Sequence, residues 1–256
     1  MTKIMRENEK ELSLVVACYN EKTVLEASIQ QVLKILDSTC WSYEIIFVDD
    51  CSTDNTREII QKLVKLYPDH DMRSLLHDTN TGRGRTVSDG FRIARGNVVG
   101  FIDIDLETHA RYIPSMVLAI QDGADIATAH RIYKLSPKLF HRFLMSAGYL
   151  RLMHLFLGLP LKDTETGYKF FRRDRLFPLL DQVVDEKWFW DTEIMTRAYL
   201  AGYKIEELPC LFIKRYGKKS SVRIIHDSLE YFARLWKFRQ VVQKIRLNAA
   251  PIIEQA

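Results

Sequence analysis

The sequence predicts an α/β fold with a mostly parallel central sheet flanked by helices. Three observations carry this: continuously apolar runs of strand length, apolar residues at helical spacing between them, and polar or glycine-bearing punctuation after each run. Residues 12–17 read as the first buried strand. Val24, Leu25, Ile29, Val32, Leu33 and Leu36 follow at helical spacing. Residues 44–48 form the second strand. The polar loop after it offers Ser52, Thr53 and Asp54 as N-caps for a helix carrying Ile59, Ile60, Leu63 and Val64. Residues 74–77 are a weaker third strand, a glycine-punctuated turn and helix fill 80–95, and residues 98–102 are the fourth strand. In open parallel sheets ligands bind beyond the carboxyl ends of the strands. That rule puts Tyr19-Asn20-Glu21, Asp49-Asp50 and Asp103-Ile104-Asp105 on one rim.

The second half is less regular. Residues 137–157 mix Leu139, Phe140, Phe143, Leu144, Tyr149, Leu150, Leu152, Met153 and Phe156 with Lys138, Arg142 and Arg151, the pattern of one or two amphipathic helices. Asp191 is placed to cap a short helix running to Tyr199. Residues 204–213 read as an edge strand, since Pro209 cannot donate to a ladder. A long amphipathic helix spans about 223–246, with Leu229, Phe232, Leu235 and Trp236 on its apolar face. No linker divides the chain. The expected organisation is one catalytic domain over 1–222, with residues 223–256 a C-terminal amphipathic helix and tail packed on it or extending from it.

The 256 residues suit one sizeable α/β domain. A composition of 47% hydrophobic and 27% charged residues is that of a soluble globular chain, and a net charge of +4 is too weak to argue for nucleic acid. Cys18, Cys40, Cys51 and Cys210 show no metal-type spacing, and no signal peptide is evident, so a reduced, cytoplasmic setting is expected. The longest uncharged apolar run, 155–161, falls far short of the ~18 residues of a membrane span. His109, His141 and His226 form no ligand spacing. There are no internal repeats.

The run 98–102 stops abruptly at Asp103, Asp105 and Glu107. Side chains at i, i+2 and i+4 of an extended segment share a face. The three could therefore present oxygens to one hard cation, Mg²⁺ or Mn²⁺, or simply mark a strand meeting water. A cation held by one or two carboxylates completes its shell with substrate phosphates, which points to a nucleoside diphosphate. The chain has no G-x-x-x-x-G-K-[ST], and no G-x-G-x-x-G follows the first strand, which argues against P-loop and dinucleotide-dependent redox enzymes. Thr81-Gly-Arg-Gly-Arg85 supplies two arginines near that diphosphate, or is only a turn before a helix.

The motifs Val16-Ala-Cys-Tyr-Asn-Glu21, Val48-Asp-Asp-Cys-Ser-Thr-Asp54, Asn80-Thr-Gly-Arg-Gly84 and Asp103-Ile-Asp-Leu-Glu107 resemble, in order, those of the family 2 inverting glycosyltransferases with the GT-A (Rossmann-like) fold. Ala129-His-Arg131, Asp163-Thr-Glu-Thr-Gly-Tyr-Lys169 and Arg215-Tyr-Gly-Lys-Lys-Ser220 resemble the later motifs of the dolichol-phosphate mannosyltransferase-like, polyprenyl-phosphate branch. The seven matches run from about residue 12 to 222. The resemblance implies that Ala17, Tyr19, Glu21, Asp50, Gly82, Arg83, Asp103 and Ile104 bind the nucleotide sugar. In it Tyr19 and Glu21 frame the nucleotide, and Asp50 bonds to its base. Asp103 and Asp105 hold a divalent metal, with Glu107 standing where relatives often carry Gln. Arg131 and Arg215 contact phosphates, and Asp163, Thr166, Gly167, Lys169, Lys219 and Ser220 bind the acceptor. Ala17 replaces a frequent proline, and the lysines at 218–219 do not align cleanly with the usual Gly-x-Ser-Lys. The transmembrane helices that follow the catalytic domain in many relatives are not in this sequence.

Sugar transfer develops negative charge on the leaving diphosphate, which a metal ion and arginines stabilise. A lipid-phosphate acceptor needs no general base, whereas a hydroxyl acceptor does, and Asp191 or Glu193 is then the candidate. The alternative for that pair is an N-cap and a first-turn acid favoured by the helix dipole. The amphipathic stretches suit either an anionic lipid interface or ordinary core packing. The expected function is transfer from a UDP- or GDP-linked sugar to a polyprenyl (dolichyl or undecaprenyl) phosphate at the cytoplasmic membrane face, through a peripheral contact or a membrane-protein partner. A soluble family 2 transferase using a saccharide hydroxyl is the alternative. A processive synthase is disfavoured by the lack of Gln-x-x-Arg-Trp, and a non-catalytic scaffold by the retained acids and arginines.

Overall fold

The computed structural model describes residues 10–133, 140–214 and 224–249. One seven-stranded sheet has the order β3-β2-β1-β4-β6-β5-β7. The first half alternates as the apolar runs require: β1 (Lys10–Cys18), α1 (Leu25–Leu36), β2 (Tyr43–Asp49), α2 (Thr56–Leu66), β3 (Met72–Leu76), α3 (Arg83–Arg92) and β4 (Gly96–Asp103). All four strands are parallel. Leu12, Leu14, Val15 and Val16 of β1 are fully buried, because helices cover both faces of the sheet. The expected mostly parallel α/β sheet is borne out.

A single-turn 3-10 helix (Ala110–Tyr112) leads into α4 (Ile113–Gln121), then β5 (Ile126–Tyr133), α5 (Phe140–Leu157), β6 (Tyr168–Arg172), α6 (Arg173–Leu180), α7 (Trp190–Leu200), β7 (Ile205–Phe212) and α8 (Ile224–Ala249). β6 is antiparallel to both neighbours, β4 and β5, while β7 runs parallel to β5 at the edge, as Pro209 predicts. The segment 137–157 yields one helix, α5.

Three local expectations are corrected. The N-cap of α2 is Asn55, and Asp54 serves one position earlier, its Oδ1 accepting from the Thr56 N–H at 3.0 Å. The N-cap of α7 is Phe189; Asp191 lies inside the first turn, drawn into buried ion pairs instead. On α8 Leu235 is buried as expected, but its buried companions are Phe238 and Val242, packed with Met153, Leu157 and Phe189. Phe232 and Trp236 remain 44% and 51% exposed, and the side chain of Leu229 lies outside the described residues.

Candidate active site

β1, β2 and β4 are neighbours that end together: Cys18 pairs with Asp49, and Ala17 with Asp103. Each is followed by a non-glycine residue at positive φ, Asn20 at 57°, Cys51 at 60° and Leu106 at 52°. Each such conformer costs about 1 kcal/mol, and each turns its chain away at the same rim. The first two loops are stapled together. The Asn20 N–H donates to Ser52 Oγ at 2.9 Å, the Thr53 N–H donates to Asn20 Oδ1 at 2.8 Å, and the Glu21 N–H donates to Thr56 Oγ1 at 2.8 Å. Tyr19 is exposed at the mouth, and Ala17 is half-buried. Ile104 buries its side chain in the core, so only its main chain can face a ligand there.

Asp50 does not present an open carboxylate. Its Oδ1 accepts from the Thr81 N–H at 2.7 Å and hydroxyl at 2.9 Å and lies 3.0 Å from His77 Nδ1, while Oδ2 accepts from the Gly82 N–H at 2.9 Å. Burial opposes its charge, yet these donors outweigh it and hold the carboxyl below the usual range. Asp50 therefore clamps the turn that delivers Arg83. Gly82 adopts φ +96°, and a Cβ there would stand 2.7 Å from the Glu186 carbonyl oxygen.

From that turn Arg83 reaches across the sheet, between the rings of Phe101 (5.3 Å) and Trp188 (5.8 Å). Its Nη2 donates to Asp103 Oδ1 at 2.9 Å and its Nη1 to Asp191 Oδ2. The other Asp191 oxygen accepts from Lys169 Nζ at 2.6 Å, and Lys169 also donates to the Thr166 carbonyl. Lys169, Asp191, Arg83 and Asp103 thus form an alternating chain of charges from the core to the rim. Lys169 is fully buried in β6, which removes it from any acceptor surface. Burial lowers its pKa, against the pull of Asp191.

The acidic triplet is not one extended face. β4 ends at Asp103, the Leu106 N–H folds back onto the Asp103 carbonyl at 3.1 Å, and Leu106 is left-handed. The even spacing of the three acids is broken by this turn, and no group of three His, Cys, Asp or Glu is clustered for a metal among the described residues. Glu107 consequently does not complete a preformed three-carboxylate set. Asp103 keeps 52% of its side chain exposed, and Gly167 lies flat against it, where a Cβ would stand 1.9 Å from Oδ2. Two hard carboxylates, Asp103 and Asp105, on a rim open to a diphosphate fit a divalent cation whose remaining ligands come from phosphate.

On the neighbouring strand β5, Arg131 pairs with Asp163 through Nε (2.7 Å) and Nη2 (2.9 Å). Burial works against the guanidinium charge and Asp163 overrides it, so its pKa is raised. Glu193 does not join the cluster. Its Oε1 binds Arg197 at 2.7 Å, and its Oε2 accepts from the Val184 and Asp185 N–H groups at 3.2 and 2.8 Å, holding the loop before α7. Thr166 is buried. Arg215, Lys219 and Ser220 lie outside the described residues. Two residues escaped the sequence reading as individuals. Trp188 stacks on Arg83 with no motif to mark it. Half-buried Glu165 was visible only as one letter of the segment 163–169.

An open, mostly parallel sheet with a polar rim at a change of strand direction is the architecture of the GT-A class. Glucosyl-3-phosphoglycerate synthase from Mycobacterium tuberculosis shares this architecture, with a TM-score of 0.64 at 18% identity over 90% of this chain and 80% of that one. The chain belongs to glycosyl transferase family 2, whose profile matches residues 13–177. Glycosyltransferase AglD of Haloferax volcanii is 33% identical over 204 residues, 78% of this chain, which spans only 32% of that relative's length. The dolichyl-phosphate beta-glucosyltransferase of Dictyostelium discoideum is 26% identical over 254 residues, 89% of this chain and 77% of that protein. The family expected from the motifs is borne out.

Proposed function

We propose that this protein is a metal-dependent inverting glycosyltransferase that moves a sugar from a UDP- or GDP-linked donor to a polyprenyl phosphate. The relatives named as dolichyl-phosphate glucosyltransferases support this acceptor class. One observation on this chain favours it over a hydroxyl: Asp191, one of the two acids the sequence offered as a base, has both oxygens committed to Lys169 and Arg83. Protonating it would break two buried ion pairs. A phosphate monoester, with a second pKa of about 6, is largely ionised at neutral pH and needs no base.

In this reading Tyr19 and Glu21 frame the nucleotide, with main-chain contacts at Ala17 and Ile104. Asp50 acts through Gly82 to aim Arg83 at the diphosphate. Asp103 and Asp105 hold the Mn²⁺ or Mg²⁺ ion, which when bound supplies charge neutralisation on the leaving diphosphate. Arg131, backed by Asp163, receives the acceptor phosphate together with Arg215, Lys219 and Ser220, while Thr166 and Gly167 shape the floor between the two substrates. The acceptor oxygen forms the new bond to the anomeric carbon as the bond to the diphosphate breaks on the opposite face. That electron pair leaves on the diphosphate, and no proton changes place.

The acceptor also directs the protein to a membrane. No helix among the described residues is long and apolar enough to cross one. The exposed face of α5 and α8 carries Leu155, Phe232 and Trp236 with Lys237, Arg239 and Lys244, and Arg239 lies over the rings of Phe156 and Trp236. Aromatics beside cations fit the interface of an anionic bilayer, here the cytoplasmic face. Incubation with radiolabelled UDP-glucose or GDP-mannose and polyprenyl phosphate is expected to give lipid-extractable label. Transfer confined to hydroxyl acceptors would overturn the assignment.

A further inference from the structure

The guanidinium of Arg83 stands between two carboxylates that hold it unequally. Its Nη1 donates to Asp191, whose side chain is 3% exposed and whose other oxygen accepts from Lys169 at 2.6 Å. Its Nη2 donates to Oδ1 of Asp103 at 2.9 Å, and that side chain is 52% exposed. An ion pair shielded from water is costly to break by removing one partner, whereas a pair that faces water contributes little. The rings of Phe101 and Trp188 hold the guanidinium between them, 5.3 and 5.8 Å from its central carbon. Arg83 thus has a firm anchor on α7 and a loose one at the end of β4. The loose partner is the acid proposed to bind the metal, so guanidinium and cation compete for one oxygen.

We infer that Arg83 is a counter-ion which Asp103 exchanges for the metal, and that this exchange makes cation binding conditional on the diphosphate. The inference rests on the metal-dependent, nucleotide-sugar reading above. With Nη2 on Oδ1, a divalent cation approaching Asp103 meets a positive charge already seated there. Gly167 packs against both carboxylate oxygens, within 1.9 and 2.3 Å of where its Cβ would stand, and narrows the approach from that side. Asp105 by itself offers one carboxylate, which holds such a cation only with help from phosphate oxygens. A diphosphate presents the guanidinium with charged oxygens in the planar, bidentate geometry it prefers. Arg83 then gives up the screened contact to Asp103 and keeps the buried one to Asp191, releasing Oδ1 as the phosphate oxygens arrive. Lys169 serves this exchange by fixing the second oxygen of Asp191, on which Arg83 pivots. Arg83 therefore couples the two ligands, and by linkage the cation strengthens diphosphate binding by the same factor.

The test is Mn²⁺ binding to the intact chain without nucleotide, followed by the EPR signal of the free ion. Arg83→Gln is expected to bind Mn²⁺ about tenfold or more tighter than wild type, since removing a unit charge at the site lifts a direct repulsion. Arg83→Lys keeps that charge, but one ammonium on a shorter stem cannot reach both acids and stays with buried Asp191. Its Mn²⁺ affinity is therefore expected to rise about threefold or more. With EDTA present, UDP or GDP is expected to bind Arg83→Gln about tenfold more weakly than wild type, because the diphosphate loses its guanidinium. An Mn²⁺ affinity of Arg83→Gln equal to that of wild type would overturn the inference. Tightening in Arg83→Gln alone, with Arg83→Lys unchanged, would reduce Arg83 to a nearby charge and overturn it as well. Diphosphate affinity that survives Arg83→Gln in EDTA would show that the guanidinium does not transfer. Asp103→Ala, added to Arg83→Gln, is expected to remove the gained Mn²⁺ affinity. If the double variant keeps it, Asp103 is not a ligand and the metal reading itself falls. If Asp103→Ala abolishes nucleotide-dependent Mn²⁺ binding while both Arg83 variants match wild type, only the role of Arg83 is lost.

Discussion

A methyl group on Gly167 would stand 1.9 Å from one oxygen of Asp103 and 2.3 Å from the other, so the absence of a side chain there sets how closely the 163–169 loop approaches the acid proposed to bind the metal. The Asp103 N–H donates to the Gly167 carbonyl at 2.9 Å, which fixes the two backbones and leaves the carboxylate as the part that must yield. Gly167→Ala should therefore displace Asp103 without unfolding the sheet. Its melting temperature alone is expected to fall by no more than about 2 kcal/mol worth of stability, while stabilisation by Mn²⁺ with UDP or GDP disappears in a thermal-shift titration. Full retention of that metal-dependent shift would show that Asp103 is not a ligand. At this scale the sequence carried much of the candidate site. Asp103, Asp105, Arg83, Arg131 and Asp163 were legible because charged residues follow buried runs or stand in ordered motifs. Their pairings were not legible. That Asp50 holds a turn, and that Asp191 is bracketed by two cations, depends on contacts between residues 22 to 108 positions apart.

At the scale of elements, β1, β2 and β4 could be read directly because a doubly covered parallel strand is apolar at every position. β6 could not. Its sequence, Tyr-Lys-Phe-Phe-Arg, has a lysine at the second place, which reads as solvent-facing, and the carboxylate of Asp191 on α7, with the Thr166 carbonyl, allows that ammonium to be fully buried. A buried pair of this kind is costly to break by removing one partner, on the order of 3–5 kcal/mol, because the other charge is stranded. Lys169→Met is expected to lose stability in that range in urea unfolding. Adding Asp191→Asn should cost at least about 1 kcal/mol less than Asp191→Asn does alone, since the ammonium it would strand is already gone, while Arg83 keeps Asp103. A double variant as unstable as the sum of the two single ones would show that the two residues are not coupled. The misread face of α8 has a related cause. Leu235, Phe238 and Val242 are buried by Met153, Leu157 and Phe189, contacts set by where α5 and α7 lie and not by the helix's own periodicity.

Across the whole molecule, buried carboxylates paired with arginine occur at both ends of the sheet, and their position separates their uses. At the amino end Glu44 accepts from Ser13 Oγ at 2.6 Å and from Arg95 at 2.8 Å, tying β1, β2 and the start of β4 together far from the rim. Burial opposes its charge, and these donors still hold its pKa below the ordinary value. At the carboxyl end the corresponding pairs lead outward to half-exposed Asp103 and toward α7, on which α8 packs. If the acceptor is a lipid phosphate, as proposed, its phosphate reaches that end while its tail stays in the bilayer only when the membrane lies against a neighbouring surface. The α5–α8 face meets this requirement with Phe232 and Trp236, half-exposed and contacting Phe156, beside Arg239. Replacing both exposed aromatics, Phe232→Ser with Trp236→Ser, should weaken co-sedimentation with anionic phospholipid vesicles by about tenfold or more. Binding of the unaltered protein should fall as salt rises from 0.1 to 1 M, because the basic residues act through a screened potential. Turnover of the soluble acceptor citronellyl phosphate should be little changed by the double substitution, since no tail must be drawn from a bilayer. Vesicle binding that survives both the substitutions and the salt would place the membrane against a different face of the molecule.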